Sequence, residues 1–121
     1  MIGTFIDHRG EIKDLIQFDA QEIAITRIRS FSGVVRGNHY HKETTQWTYI
    51  VKGITRVVSI SPVTDILYEK IVGTGDVVLH LPNEKHAFEA LEDTEWIVVT
   101  KGPRKGDNYE SDTFRLEVPL I

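Results

Sequence analysis

The chain is cut into short runs rich in Val, Ile, Thr and aromatic residues, each closed by a turn signal. This punctuation limits the fold more than any other feature, because it suits strands and leaves no room for a long helix. It predicts strands at residues 12–18, 23–31, 34–41, 46–51, 55–60, 66–71, 76–81, 86–90, 95–101 and 113–118. Between them stand Lys52-Gly53, Ser61-Pro62, Gly73-Thr74-Gly75, Pro82-Asn83 and Gly102-Pro103, all turn-forming combinations. Apolar spacing of three and four comes nearest to a helix at residues 14–21 and does not persist. Ten short strands in 121 residues, with no linker or repeat, predict one all-β domain over residues 1–121, a sandwich or barrel. The inward faces of such a barrel converge on a space fit for a small ligand.

Composition excludes several function classes. A formal charge of -4 gives no reason to expect nucleic acid or an anionic membrane as partner. With no cysteine there are no disulfides, thiolate ligands or cysteine nucleophile. No apolar run reaches membrane-spanning length, and the start MIGTFIDHRGE lacks signal-peptide regions. A cytoplasmic protein acting on a small molecule is the expectation.

Five histidines are present, and two of them, His39 and His41, stand one residue apart. On a strand, side chains two apart share a face, so both imidazoles point the same way. Gln46 opens the next strand, within reach of the pair, and His86 follows a later turn. Imidazoles so grouped serve either as metal ligands or as acid/base groups. In EIAITRIRSF, Arg27 and Arg29 alternate in phase with Ile23, Ile25 and Phe31, which suits an interior anion site or a polar barrel edge. Arg36 precedes the histidine pair. His80 lies out of phase with Val77, Leu79 and Leu81, which predicts an exposed, uninvolved residue. His8 sits in a turn and reads as structural or solvated. Trp47 and Trp96 read as packing residues. The charged, Gly-rich segment at residues 101–112 reads as a surface loop.

The spacing resembles that of the cupins, whose first motif runs glycine, five residues, His-x-His, a short gap, glutamate, six residues, glycine. Gly33, His39, His41, Gln46 and Gly53 fall on it, with Gln46 in the glutamate's place. Gly75 and His86 match the second motif in overall separation. There Pro82 is displaced by one position, Glu84 stands where glycine is usual, and Ala90 replaces an asparagine. The resemblance implies a double-stranded β-helix, the jelly-roll barrel. Within it, GVVRGNHYHK, HAFEAL and FIDHRGE are similar to segments of the nucleotide-sugar 3,5-epimerases and 3,4-ketoisomerases. RGNHYHKETTQ is more similar to the ketoisomerase pattern, at Arg36, Gly37, His39, His41, Lys42 and Gln46.

That narrower resemblance implies an isomerase needing no cofactor, which moves a proton next to the carbonyl of a 4-keto-6-deoxy sugar nucleotide. The product would feed cell-surface polysaccharide synthesis. His39 would be the base, His41 its relay or orienter, and Arg36 the partner of the developing oxyanion. Arg27 and Arg29 would bind the diphosphate, with Gln46 and Tyr49 as further substrate contacts. Tyr49 or Tyr109 would serve as the acid. The alternative is a metal-dependent cupin with His39, His41, Gln46 and His86 around one divalent Fe, Ni, Zn or Mn ion, for oxygenase or isomerase chemistry. Gln46 removes the charged ligand and should weaken that site. A third reading is a cupin that binds a sugar or other small ligand without turnover. Exposed strand edges and the family resemblance lead us to expect a homodimer, formed through N-terminal strands.

Overall fold

Alternating inward and outward residues fold this chain as two facing antiparallel sheets. The structure, a computed structural model, describes residues 3–103 and 111–121. Its strands are β1 (Thr4–Asp7), β2 (Gly10–Phe18), β3 (Ile23–Ser30), β4 (Val35–Tyr40), β5 (Thr45–Lys52) and β6 (Thr55–Ile60). They continue as β7 (Leu67–Val72), β8 (Val77–His80), β9 (Lys85–Ala90), β10 (Thr94–Lys101) and β11 (Phe114–Arg115). One sheet has the order β1-β2-β3-β10-β5-β8, the other β11-β4-β9-β6-β7. The double-stranded β-helix expected from the motif spacing is present. Among the described residues there is no α-helix, and none long and apolar enough to cross a membrane.

Each expected strand has a counterpart, with shifts at the ends. Residues 14–21 extend as strand to Phe18 and close in a single 3-10 turn, Asp19–Gln21. β1 was not expected, and it pairs with β2. The last strand shrinks to Phe114–Arg115, where Phe114 stacks on Tyr40 at 5.4 Å and Lys42 Nζ lies 4.2 Å from its ring centre.

Between the sheets Ile50, Val57, Val72, Val78, Phe88, Trp96 and Val98 form one buried cluster. Trp96 is 2% exposed, packs 4.9 Å from Phe88 and donates its indole N–H to Thr55 Oγ1 at 3.1 Å. A buried indole thus has the partner it needs. Trp47, expected to pack inside, faces outward instead. Its neighbours in the strand explain this: Gln46, Thr48 and Ile50 are buried and Trp47 and Tyr49 exposed, so the phase of β5 is set by the polar-looking residues.

Candidate metal centre

Strict alternation along β4 would send Arg36 and His39 to opposite faces. A bulge prevents this: Gly37 pairs with Ala87, His39 with His86, and Asn38 is the extra residue. One inserted residue reverses the phase of the rest of the strand. Asn38 takes a left-handed backbone at φ 56°. Its side chain turns to the C-terminal segment, accepting from the Leu120 N–H at 2.7 Å and donating to the Ile121 carbonyl at 3.2 Å. At Gly37, φ is 93° and an added Cβ would lie 2.9 Å from the His86 carbonyl oxygen, so only glycine lets β4 and β9 close here. In consequence Arg36, His39 and His41 all line one cavity.

That cavity, of about 450 Å³, opens between the sheets over a floor made by Phe88, Trp96 and Val98. Its size suits a small-molecule ligand. The rings of His39 and His41 lie 4.8 Å apart, His39 and His86 4.7 Å, and His41 and His86 5.4 Å. One nitrogen from each falls within a 4.8 Å spread.

Hydrogen bonds fix what these nitrogens can do. His41 Nδ1 donates to the Asp112 carbonyl at 3.0 Å, and His86 Nδ1 donates to the Glu84 carbonyl at 2.9 Å. A carbonyl only accepts, so each Nδ1 carries the proton and each Nε2 keeps a lone pair. Those two Nε2 atoms and His39 Nδ1 are buried with no hydrogen-bond partner among the described residues. Burial pushes His39 down to about 2, with His86, His41 and Arg115 adding to the effect. Burial also lowers His86, to about 4, against the opposing bond to the Glu84 carbonyl. Both are neutral at pH 7.

Neutral imidazoles with buried lone pairs and backbone-held tautomers are what a divalent transition metal requires. Nitrogens bound at about 2.1 Å to one ion sit roughly 3–3.5 Å apart, so an ion would draw the three rings together. Gln46, 9% exposed, lines the same cavity. Its Nε2 donates to Thr48 Oγ1 at 3.1 Å, which leaves Oε1 as a candidate fourth ligand.

His80 corrects the reading from sequence. It is 1% exposed and stacks on His86 at 4.2 Å with the rings 7° from parallel. Its Nε2 bonds Ser59 Oγ at 2.9 Å, and burial lowers it to about 2. Val77, Leu79 and Leu81, inward by their apolar character, are the exposed ones. His8 is exposed, as expected.

Other residues from the sequence reading stand apart from the cavity. Arg27 and Arg29 lie on the outer face of β3, paired with Glu11 at 2.9 Å and Glu95 at 3.0 Å. Tyr49 faces outward on β5, 42% exposed. Tyr109 and most of the late charged segment lie outside the described residues. The cavity instead carries Arg9, Arg36 and Arg115 against one carboxylate, Asp14. Arg36 Nε donates to Ser30 Oγ at 2.7 Å, and Arg9 makes a forked pair with Asp7 at 3.0 and 2.8 Å. Arg115 reaches the site because β11 pairs with β4 directly opposite His39. The segment FIDHRGE signals Arg9 in the sequence, and nothing there signals Arg115.

Two antiparallel sheets closed around a histidine-lined cavity define a cupin barrel, and the chain has that fold. It is shared with CapF, a capsular polysaccharide assembling protein of Staphylococcus aureus, at a TM-score of 0.78 and 23% identity over 98% of this chain and 33% of that one. Oxalate decarboxylase of Bacillus subtilis, a protein described with Mn(II) centres, gives a TM-score of 0.80 and 24% identity over 95% of this chain and 30% of its own. The chain therefore spans about a third of the length of these proteins. No family model and no curated protein matches the sequence.

Proposed function

We propose that this chain is a metal-dependent cupin enzyme acting on a small anionic substrate that carries a carbonyl group. One observation carries the reading: His39, His41 and His86 bring one ring nitrogen each within 4.8 Å of one another, and each ring holds a buried nitrogen with no hydrogen-bond partner among the described residues. A bound divalent ion would supply Lewis-acid polarisation of the substrate oxygen. The chain's own residues do the rest. Asp112 and Glu84 hold two imidazoles in the binding tautomer through their carbonyls. Arg36 and Arg115 supply the positive charge that a carboxylate or phosphate needs, and Phe88 with Trp96 keeps the inner wall dry. Untagged protein purified without chelator should contain close to one equivalent of Fe, Ni, Zn or Mn per chain. His86→Ala should lose nearly all of it with the far-UV spectrum unchanged. No binding of any of the four metals by soaked wild-type protein would end this reading.

A second reading is metal-free isomerisation of a 4-keto-6-deoxy sugar nucleotide in the cytoplasm. It is favoured by the fold shared with CapF along 98% of the chain and by the RGNHYHKETTQ segment. His39 would remove the proton. A histidine held near a pKa of 2 is a weak base at neutral pH, which places this reading second. Solvent deuterium entering a keto-sugar nucleotide after complete metal removal, and stopped by His39→Ala, would put it first.

A further inference from the structure

A buried carboxylate needs hydrogen bonds in place of water. Glu84 is 5% exposed, and none of the ion pairs among the described residues involves it. One of its side-chain oxygens accepts the Leu81 N–H at 3.0 Å, and the other accepts the Tyr68 hydroxyl. Strand register brings Tyr68 here. His39, His86, Ser59 and Tyr68 are successive partners on β4, β9, β6 and β7, and such partners share a face about 5 Å apart. The row therefore runs from the candidate metal centre to an edge strand, where Tyr68 is 39% exposed.

Donors and acceptors in this row can be assigned in only one direction. A carboxylate accepts and cannot donate, so the Tyr68 proton points at Glu84. The phenol oxygen is left to accept from its other partner, Ser59. With the Ser59 proton committed there, Ser59 Oγ accepts from His80 Nε2 at 2.9 Å. Both ends of this chain meet at His86. The His80 ring lies flat on the His86 ring at 4.2 Å, and the Glu84 carbonyl accepts the His86 Nδ1 proton at 2.9 Å. The same turn also holds the backbone of His41, whose carbonyl accepts the Asn83 N–H at 2.5 Å.

We infer that Tyr68 and the Glu84 carboxylate are positioning residues for His86. They close a loop through Ser59 and His80 that fixes the plane of the His86 ring by stacking and its tautomer by the Glu84 carbonyl. Neither side chain lines the cavity. The consequence for metal affinity rests on the metal-dependent reading above; the loop itself does not.

Nitrogen-15 NMR of metal-free protein at neutral pH reads the loop without any metal. Wild type should show His86 protonated at Nδ1 and His80 at Nε2. In Tyr68→Phe, an exposed-strand change that removes one hydroxyl, the His86 Nδ1 proton should exchange with water about 10-fold faster or more. Glu84→Gln should act in the same direction, because its single oxygen cannot serve both Leu81 and Tyr68. Leu67→Ala, beside Tyr68 on the same strand and 54% exposed, should change nothing. A wild-type His80 protonated at Nδ1 overturns the inference, as does a His86 proton equally protected in wild type and Tyr68→Phe. For the metal, Tyr68→Phe should weaken zinc in a chelator competition by about 10-fold and shift the visible bands of the cobalt-loaded protein, and Leu67→Ala should do neither. Unchanged affinity and bands in Tyr68→Phe overturn the inference and leave the metal reading standing. A wild type that takes up neither zinc nor cobalt counts against the metal reading, and the two proton measurements then decide the loop.

Discussion

Single residues show both how much chemistry the sequence displays and where it hides it. His39 and His41 were legible because a spacing of two fixes a shared face whatever the partner strands do. Their joining with Arg36 was not, because the bulge at Asn38 exists only in the pairing of β4 with β9. His80 misled for a different reason. Val77 and Leu79 are apolar and point outward, so the rule that apolar residues mark the inner face reverses on β8. Inside, His80 fills space behind His86 and satisfies Ser59, which is itself 0% exposed. His80→Ala removes a buried ring and should cost about 3 kcal/mol in urea unfolding of metal-free protein. His80→Phe keeps the bulk but takes from the Ser59 hydroxyl its bond to the ring, leaving Tyr68 as partner, at about 1 kcal/mol. Because that bond couples the two residues, His80→Phe with Ser59→Ala should cost about 1 kcal/mol less than the two single costs added. Simple addition of the two single costs would show that the hydroxyl is not the source.

At the scale of elements, the site depends on how β4 leaves the barrel and where β11 returns. The Asp112 carboxylate accepts from Lys42 N–H at 3.1 Å, Glu43 N–H at 2.8 Å and Thr44 hydroxyl at 2.8 Å. Its own carbonyl holds His41. Burial alone would raise this carboxyl; the bonds from Glu43, Thr44 and Lys42 win and lower it. One residue thus clamps the connection between β4 and β5 to the C-terminal segment. No sequence pattern announces this, because 68 residues separate Thr44 from Asp112. Asp112→Ala should cost about 3 kcal/mol, since bonds to a charged acceptor are the strong ones. It should also weaken metal binding by about 10-fold or more in a chelator competition, although it touches no ligand nitrogen. Unchanged affinity would show that the clamp does not position His41. Two glycines give a matched comparison. Gly37 and Gly33 both have positive φ, 93° and 88°, but an added Cβ meets the His86 carbonyl at 2.9 Å in one and open space in the other. Gly33→Ala should cost about 1 kcal/mol from backbone strain alone. Gly37→Ala should cost about 3 kcal/mol or more and loosen the metal, because β4 must move off β9. Equal costs would mean that the close approach is not what fixes the pairing.

For the whole molecule, neutral histidines in the interior tie stability to pH. His80 and His86 are 1% and 0% exposed, with pKa values near 2 and 4 in the folded chain against 6.5 for the free side chain. Unfolding releases them into water, where they take up protons at pH values at which the folded chain cannot. Between those limits the unfolded state binds more protons, so stability rises with pH and is lost as pH falls. For His86 the loss runs from about 6.5 down to about 4, and for His80 it continues toward about 2. Each contributes about 1.4 kcal/mol per pH unit inside its window, so the pair together removes about 6–7 kcal/mol between pH 6.5 and 4. Domains of ordinary stability hold about 5–15 kcal/mol in total. Metal-free protein should therefore lose much of its thermal stability across this window and approach acid unfolding near its lower end. His80→Phe removes one of three proton sites, with His39 and His86, that only the unfolded chain fills. Its curve of Tm against pH should be roughly a third less steep there, even though the variant is less stable at pH 7. A Tm independent of pH from 6.5 to 4 in chelator would mean that the two rings are already protonated when folded, and that the lone pair assigned to His86 Nε2 is not there to bind a metal.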